Sequence, residues 1–140
     1  MKRVGQALQL RCKIDEIFTH AEAVGIYPLI AIAGDLNADF NSVPVNASRG
    51  PVEETGNPEL AERVMVPCEM TVPEPSRYSL LYLGRGQMID HVLASRALMT
   101  FYRGTEIHNE FLPDESGAFR SDVKFPESDH APIVAEFVLP

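Results

Sequence analysis

The first segment of the chain places apolar residues at helical spacing. Val4, Ala7, Leu8, Ile14, Ile17, Phe18 and Ala21 recur at three- and four-residue steps, while Lys13, Asp15, Glu16 and Glu22 fall on the other side. That period predicts an amphipathic helix with one core-facing stripe. Gly25 supplies a C-terminal stop and Pro28 follows it. Residues 29–33 (LIAIA) form a short unbroken apolar run closed by Gly34, which predicts a strand buried on both faces. Residues 35–57 scatter Asn, Pro, Ser and Gly and read as loop. Asn57, Pro58 and Glu59 then offer a cap, a first-turn proline and a first-turn acid, predicting a short helix to about Val64.

Beyond this point the pattern turns to strands. Residues 78–83 and 87–94 are strand-like and flank Gly84, Arg85 and Gly86, which predicts a hairpin. One or two further strands are expected within 98–111, and residues 112–128, rich in Pro, Gly, Ser and acids, read as a long loop. At the end Ile133, Ala135 and Phe137 alternate with Val134, Glu136 and Val138, the signature of a strand with a buried face. This order predicts an α+β fold with a helix packed on a largely β layer.

Composition narrows the reading. A chain of 140 residues with 45% hydrophobic and 23% charged residues is an ordinary single-domain composition, long enough for a sizeable core. The net charge of −8 argues against bulk electrostatic attraction to polyanions. Between Pro75 and Thr105, however, Arg77, Arg85, Arg96 and Arg103 are opposed only by Asp90, so that stretch could face phosphate. Cys12 and Cys68 form neither a disulfide framework nor a zinc spacing, and Cys12 is expected to be a small core residue of the first helix. The opening MKRVGQALQLRCK has basic residues but no apolar run, so no signal peptide is read. The chain as written is expected in the cytoplasm, although a longer parent could be exported. No stretch approaches the apolar length of a membrane span.

Three short groups carry candidate chemistry. Gly34, Asp35, Leu36 and Asn37 follow the apolar run, so Asp35 stands at a strand end where a carboxylate is rigid yet open to a cation or a water. Asn37 can offer its amide to a phosphoryl oxygen. Read alone, these are also ordinary turn residues. Asp90 and His91 interrupt an apolar strand, and only one of two adjacent strand positions can face inward, so one is expected to be structural. A buried Asp90 needs a partner such as an imidazole N–H. Asp129 and His130 precede the last strand, on a loop where both can reach a site, the first as an acceptor for metal and the second as a proton carrier. No GxSxG elbow or GxxxxGK[ST] loop is present, which disfavours serine hydrolases and nucleotide triphosphatases.

Taken together, GDLN after a buried strand, IDH within a strand and SDH before a final strand resemble the endonuclease/exonuclease/phosphatase superfamily. The opening helix with Gln6 and Arg11, and the stretch from Tyr78 and Ser79 to Gly86, are similar to the corresponding parts of that family. The resemblance implies that residues 1–140 are the C-terminal half of one four-layer α/β/β/α sandwich domain, contributing mainly one mixed or antiparallel sheet with a packed helix. It implies a metal-dependent phosphodiester or phosphomonoester hydrolase, nuclease-like and incomplete as this chain, with Asp35 holding the attacking water and touching metal. Asn37 would bind a phosphoryl oxygen, His130, oriented by Asp90, would act at the scissile phosphate, and Asp129 would be a ligand of Mg2+ or Mn2+. Tyr78 and Arg85 would contact substrate, a phosphate ester such as nucleic acid, a phospholipid head group or a sugar phosphate. Leu36 stands where the family often has Phe, and His91 where it often has Tyr. The family's main metal-binding glutamate has no counterpart in Glu16, Glu22, Glu53 or Glu54. The alternative expectation is therefore a non-catalytic half-domain, or a truncated fragment, that pairs with itself or with a partner such as a missing N-terminal half.

Overall fold

The computed structural model describes residues 2–50, 56–120, 122 and 124–140. It opens with α1, Lys2–Ala23, whose buried residues are Ala7, Ile14, Phe18 and Ala21. The predicted stripe is thus narrower than its apolar set, because Leu8 and Ile17 sit at its edges and are about half exposed (52% and 47%). Cys12, expected in the core, is exposed. It lies five residues from Ala7, off the stripe on a 3.6-residue helix.

α1 covers one face of a three-stranded antiparallel sheet. The strands are β1 (Ala31–Asp35), β2 (Met65–Pro67) and the later strand β5 (Asp90–Ser95), in the order β1-β5-β2. Ile14 and Phe18 of the helix meet Ile30, Met65 and Leu93 from the sheet, with Leu10 and Ile32 at the margin. Each such side chain removed from water stabilises the fold by about 1.5–3 kcal/mol. The strand period of two then sends Val92 and Ala94 to the opposite face, where Ala94 joins Cys68 and Leu98 against Tyr102, Ala135 and Phe137.

That second layer is the antiparallel pair β6 (Tyr102–Ile107) and β7 (Ile133–Phe137). The hairpin β3 (Leu80–Tyr82) and β4 (Arg85–Gln87) completes the described strands. The class is α+β, as expected, with the described strands divided among three small antiparallel sheets.

Several local expectations change. The LIAIA run gives an edge strand with one bare face: Ile30 is buried and Ile32 half-buried, but Ala31, Ala33 and Asp35 are exposed. β6–β7 packs against β5. Residues 35–57 hold a helix, α2 (Val43–Arg49), with Ser42 at its N-cap, proline in its first turn and Gly50 closing it at φ 65°. A Cβ on Gly50 would stand 2.5 Å from the Arg11 guanidinium. Arg11 donates to the carbonyls of Arg49 and Arg63 at 3.1 and 3.0 Å, and so ties α1 to the C-terminal end of α2 and to the backbone just before β2. The Asn57 cap is present, its side chain accepting from Glu59 N, although Pro58–Arg63 winds as a 3-10 helix. Arg96–Met99 forms one short helical turn, α3, before β6. Glu53 and Glu54 lie outside the described residues. No described helix is long and apolar enough to cross a membrane.

The hairpin turns at Leu83 and Gly84, with φ of 49° and 73°, one step earlier than the Gly84 to Gly86 reading. Two successive positive φ values match the twist of a two-residue hairpin. Leu83 bears the steric cost of that conformation, and Asp114 holds the turn by accepting from Leu83 N at 3.0 Å and Gly84 N at 2.6 Å. Ser116 donates to the same carboxylate, and these bonds pull the Asp114 carboxyl from 3.8 down to about 2. A depressed carboxyl stabilises above its ordinary value and loses that contribution as pH falls through its folded value. The Leu83 and Gly84 amide proton shifts are therefore expected to titrate with a midpoint near 2. A midpoint at 3.8 would show the clamp absent in solution.

Candidate functional site

Asp35 is the last residue of β1 and Asp90 the first of β5, and the two are direct cross-strand partners. Opposed residues of an antiparallel pair share one face, so two carboxylates are held side by side. Like charges placed in that way repel, and the arrangement calls for a positive neighbour. His130, positive when protonated, can supply one. Its Nδ1 lies 2.7 Å from Asp90 Oδ2, and ligand atoms of Asp35, Asp90 and His130 all fall within 4.8 Å of one another.

Burial works to lower the His130 pKa, but the hydrogen bond to Asp90 and the charges of Asp90, Asp35 and Asp129 outweigh it and leave the ring above its ordinary range. With Nδ1–H directed to Asp90, the Nε2 edge remains for a ligand. The side chains of His130 and Asp90 are 31% and 19% exposed, sheltered yet reachable.

The backbone around this group is fixed from behind. Ser79 is fully buried, and its hydroxyl oxygen accepts from Ile89 N and Asp90 N at 3.3 and 3.2 Å. Its carbonyl accepts from Ala131 N at 2.7 Å. One residue before β3 thus joins the Asp90 strand to the His130 segment.

On the other flank, Asp35 Oδ1 accepts from Asn37 N at 2.6 Å and Oδ2 from Asn37 Nδ2 at 2.8 Å. Asn37 takes a left-handed φ of 49°, which an asparagine tolerates better than most residues. Leu36 N donates to Ile89 O at 2.9 Å, and Arg3 Nη1 donates to Asn37 O at 2.9 Å. Arg3 and Gln6 of α1 line an open cavity with Asp35 and Asn37.

Of the residues singled out in the sequence, Asp35, Asn37, Asp90 and His130 therefore converge. Asp129 flanks them, its Oδ1 4.0 Å from His130 Nε2, outside the three-residue group. The Tyr78 ring lies against Gly86, where a Cβ would come within 2.7 Å of it, and Arg85 is exposed on β4. Arg77 donates to the Val72 carbonyl, a structural use of a cation grouped with those able to face phosphate.

Glu69 also belongs to the surroundings of the site, and the sequence pattern does not mark it. This carboxylate is fully buried and accepts from His91 Nδ1 at 2.6 Å and Val92 N at 3.2 Å. His91, 2% exposed, is the structural member of its pair, turned to the α1 side while Asp90 takes the face of the site. Nothing local to Cys68, Glu69 and Met70 marks a buried acid. The only signal was that an inward His91 would need an acceptor.

A group of two carboxylates and an imidazole can hold a divalent cation, since hard oxygen donors suit Mg2+ and Mn2+ and the imidazole suits softer divalent metals. The same group can hold and move a proton at His130 Nε2. The chain matches no family model, no curated protein and no solved structure.

Proposed function

We propose that the chain carries the water-activating and phosphate-binding part of a metal-dependent phosphoester hydrolase site. The observation that supports this most is the convergence of Asp35, Asp90 and His130 from three distant parts of the sequence. In this reading the Asp35 carboxylate orients a water and takes its proton as the water oxygen bonds to phosphorus and the ester oxygen leaves. Asp90 keeps the His130 Nδ1–H in place, and protonated Nε2 donates to a phosphoryl oxygen as charge grows there. Asn37 gives one amide proton to Asp35 and has a second for the same phosphoryl group. Asp35 would hold Mg2+ or Mn2+, with Asp129, at the margin of the group beside His130, as a further acceptor, and the ion when bound would offset negative charge on the phosphoryl group.

Hydrolysis of an activated aryl phosphodiester tests the reading. The purified chain is expected to release aryl alcohol with Mg2+ or Mn2+ and to stop on chelation. Folded protein without turnover at any metal concentration would overturn it.

A second reading rests on the bare face of β1. Ala31 and Ala33 are exposed on a strand at the edge of its sheet, beside Asp35. Such an edge can take another strand. In this reading the chain pairs with itself or with another chain across β1, which would also enclose the site. Light scattering of the pure chain separates self-pairing, seen as a dimer mass, from a monomer awaiting a different partner.

A further inference from the structure

We propose that Glu69 and His91 are positioning residues for the 35–38 loop. Together they form a buried strut that fixes Asp35 and Asn37 opposite Asp90 and His130. The strut begins at the Glu69 carboxylate, which accepts from His91 Nδ1 at 2.6 Å, and ends at the Ala38 carbonyl, 2.8 Å from His91 Nε2. Both neighbours of the ring are acceptors, so the ring donates from both nitrogens and carries the charge that balances Glu69. Val92 N holds the second carboxylate oxygen at 3.2 Å, anchoring the base of the strut to β5.

The strand alternation explains why this pair acts at the site. His91 follows Asp90 and points through the sheet, so whatever holds His91 also sets the strand that carries Asp90. The same ring reaches the residue after Asn37, and so spans the two halves of the site from behind. The loop needs a directional hold. Asn37 sits at a positive φ, and the Arg3 contact to its carbonyl is exposed, whereas Glu69 and His91 are 0% and 2% exposed. Two apolar side chains of equal volume could fill this space, since a buried ion pair is not in itself a source of net stability. They could not grip the Ala38 carbonyl.

The consequence for catalysis rests on the phosphoester reading above, whereas the structural claim does not. In the unaltered chain, NMR should show two slowly exchanging ring N–H protons on His91, one of them close to the Ala38 and Asp39 backbone. The double variant Glu69→Met/His91→Phe removes both charges and keeps the volume. In it the Leu36 and Asn37 amides should exchange on the order of tenfold faster, with β6 and β7 amides within about twofold of the parent. If the parent hydrolyses a phosphodiester, kcat should fall on the order of tenfold or more while KM moves by less than about twofold.

The proposal is overturned if the parent shows one His91 ring N–H or none. It is also overturned if a folded double variant keeps Leu36 and Asn37 exchange within about twofold, or if β6 and β7 accelerate by the same factor. Should the double variant fail to fold, the ring protons of the parent decide. A parent without hydrolysis would sink the phosphoester reading and leave the exchange measurement standing.

Discussion

Glu69→Ala is expected to lower the free energy of unfolding by about 3–5 kcal/mol. The substitution leaves the His91 ring buried at 2% exposure beside a cavity, with its charge uncompensated and Val92 N without its acceptor. Either His91 stays protonated at a large desolvation cost, or it loses its proton and gives up one of its two bonds. Burial alone acts to lower the His91 pKa, and the hydrogen bonds to Glu69 and to the Ala38 carbonyl, with the nearby carboxylate charges, raise it on balance. Removing the strongest of these restores the cost that the pair had offset. Denaturant unfolding should show a lower midpoint with an unchanged slope. A loss below about 1 kcal/mol would mean that water reaches the pair in solution.

Asp90→Asn is expected to lower phosphodiester turnover by about 10²–10⁴ while leaving the fold intact. Asp90 gives His130 both an acceptor for Nδ1–H at 2.7 Å and a negative charge. The amide removes the charge and presents either a donor, which forces the wrong tautomer, or a weaker acceptor. Its backbone stays fixed by Ser79 and by pairing with Asp35. The change also removes one of two opposed carboxylates, so stability should be unchanged within about 0.5 kcal/mol or slightly raised. Paired measurement of turnover and unfolding checks both halves, and equal loss of both would reduce Asp90 to a structural residue.

Much of this arrangement could be read in the chain because it rests on local periodicity. The α1 stripe through Ala7, Ile14, Phe18 and Ala21, and the alternation of β7, are properties of single elements. So is the division of labour at Asp90 and His91, which follows from adjacent strand residues pointing apart. The burial of β1 could not be read, because an apolar run does not state which faces its neighbours cover. The α2 segment reads as loop in the sequence because Ser42, Pro44 and Gly50 serve equally as turn residues and as helix caps. Glu69 was invisible, since its partners are 22 and 23 residues away in sequence. The three motifs of the site were legible one by one. Their meeting depends on the β1–β5 register and on the Ser79 link to Ala131, which are tertiary facts.

Asp35, Asp90 and His130 are proposed to act on a phosphate ester as one unit. The most direct measurement is metal-dependent hydrolysis by the parent chain, Asp35→Asn, His130→Ala and the double variant. Groups that work as a unit are grossly non-additive, so the double variant should lie within a few-fold of the slower single variant, each single loss being about 10²–10⁴. Losses that multiply, or a parent chain with no metal-dependent turnover, would contradict the account.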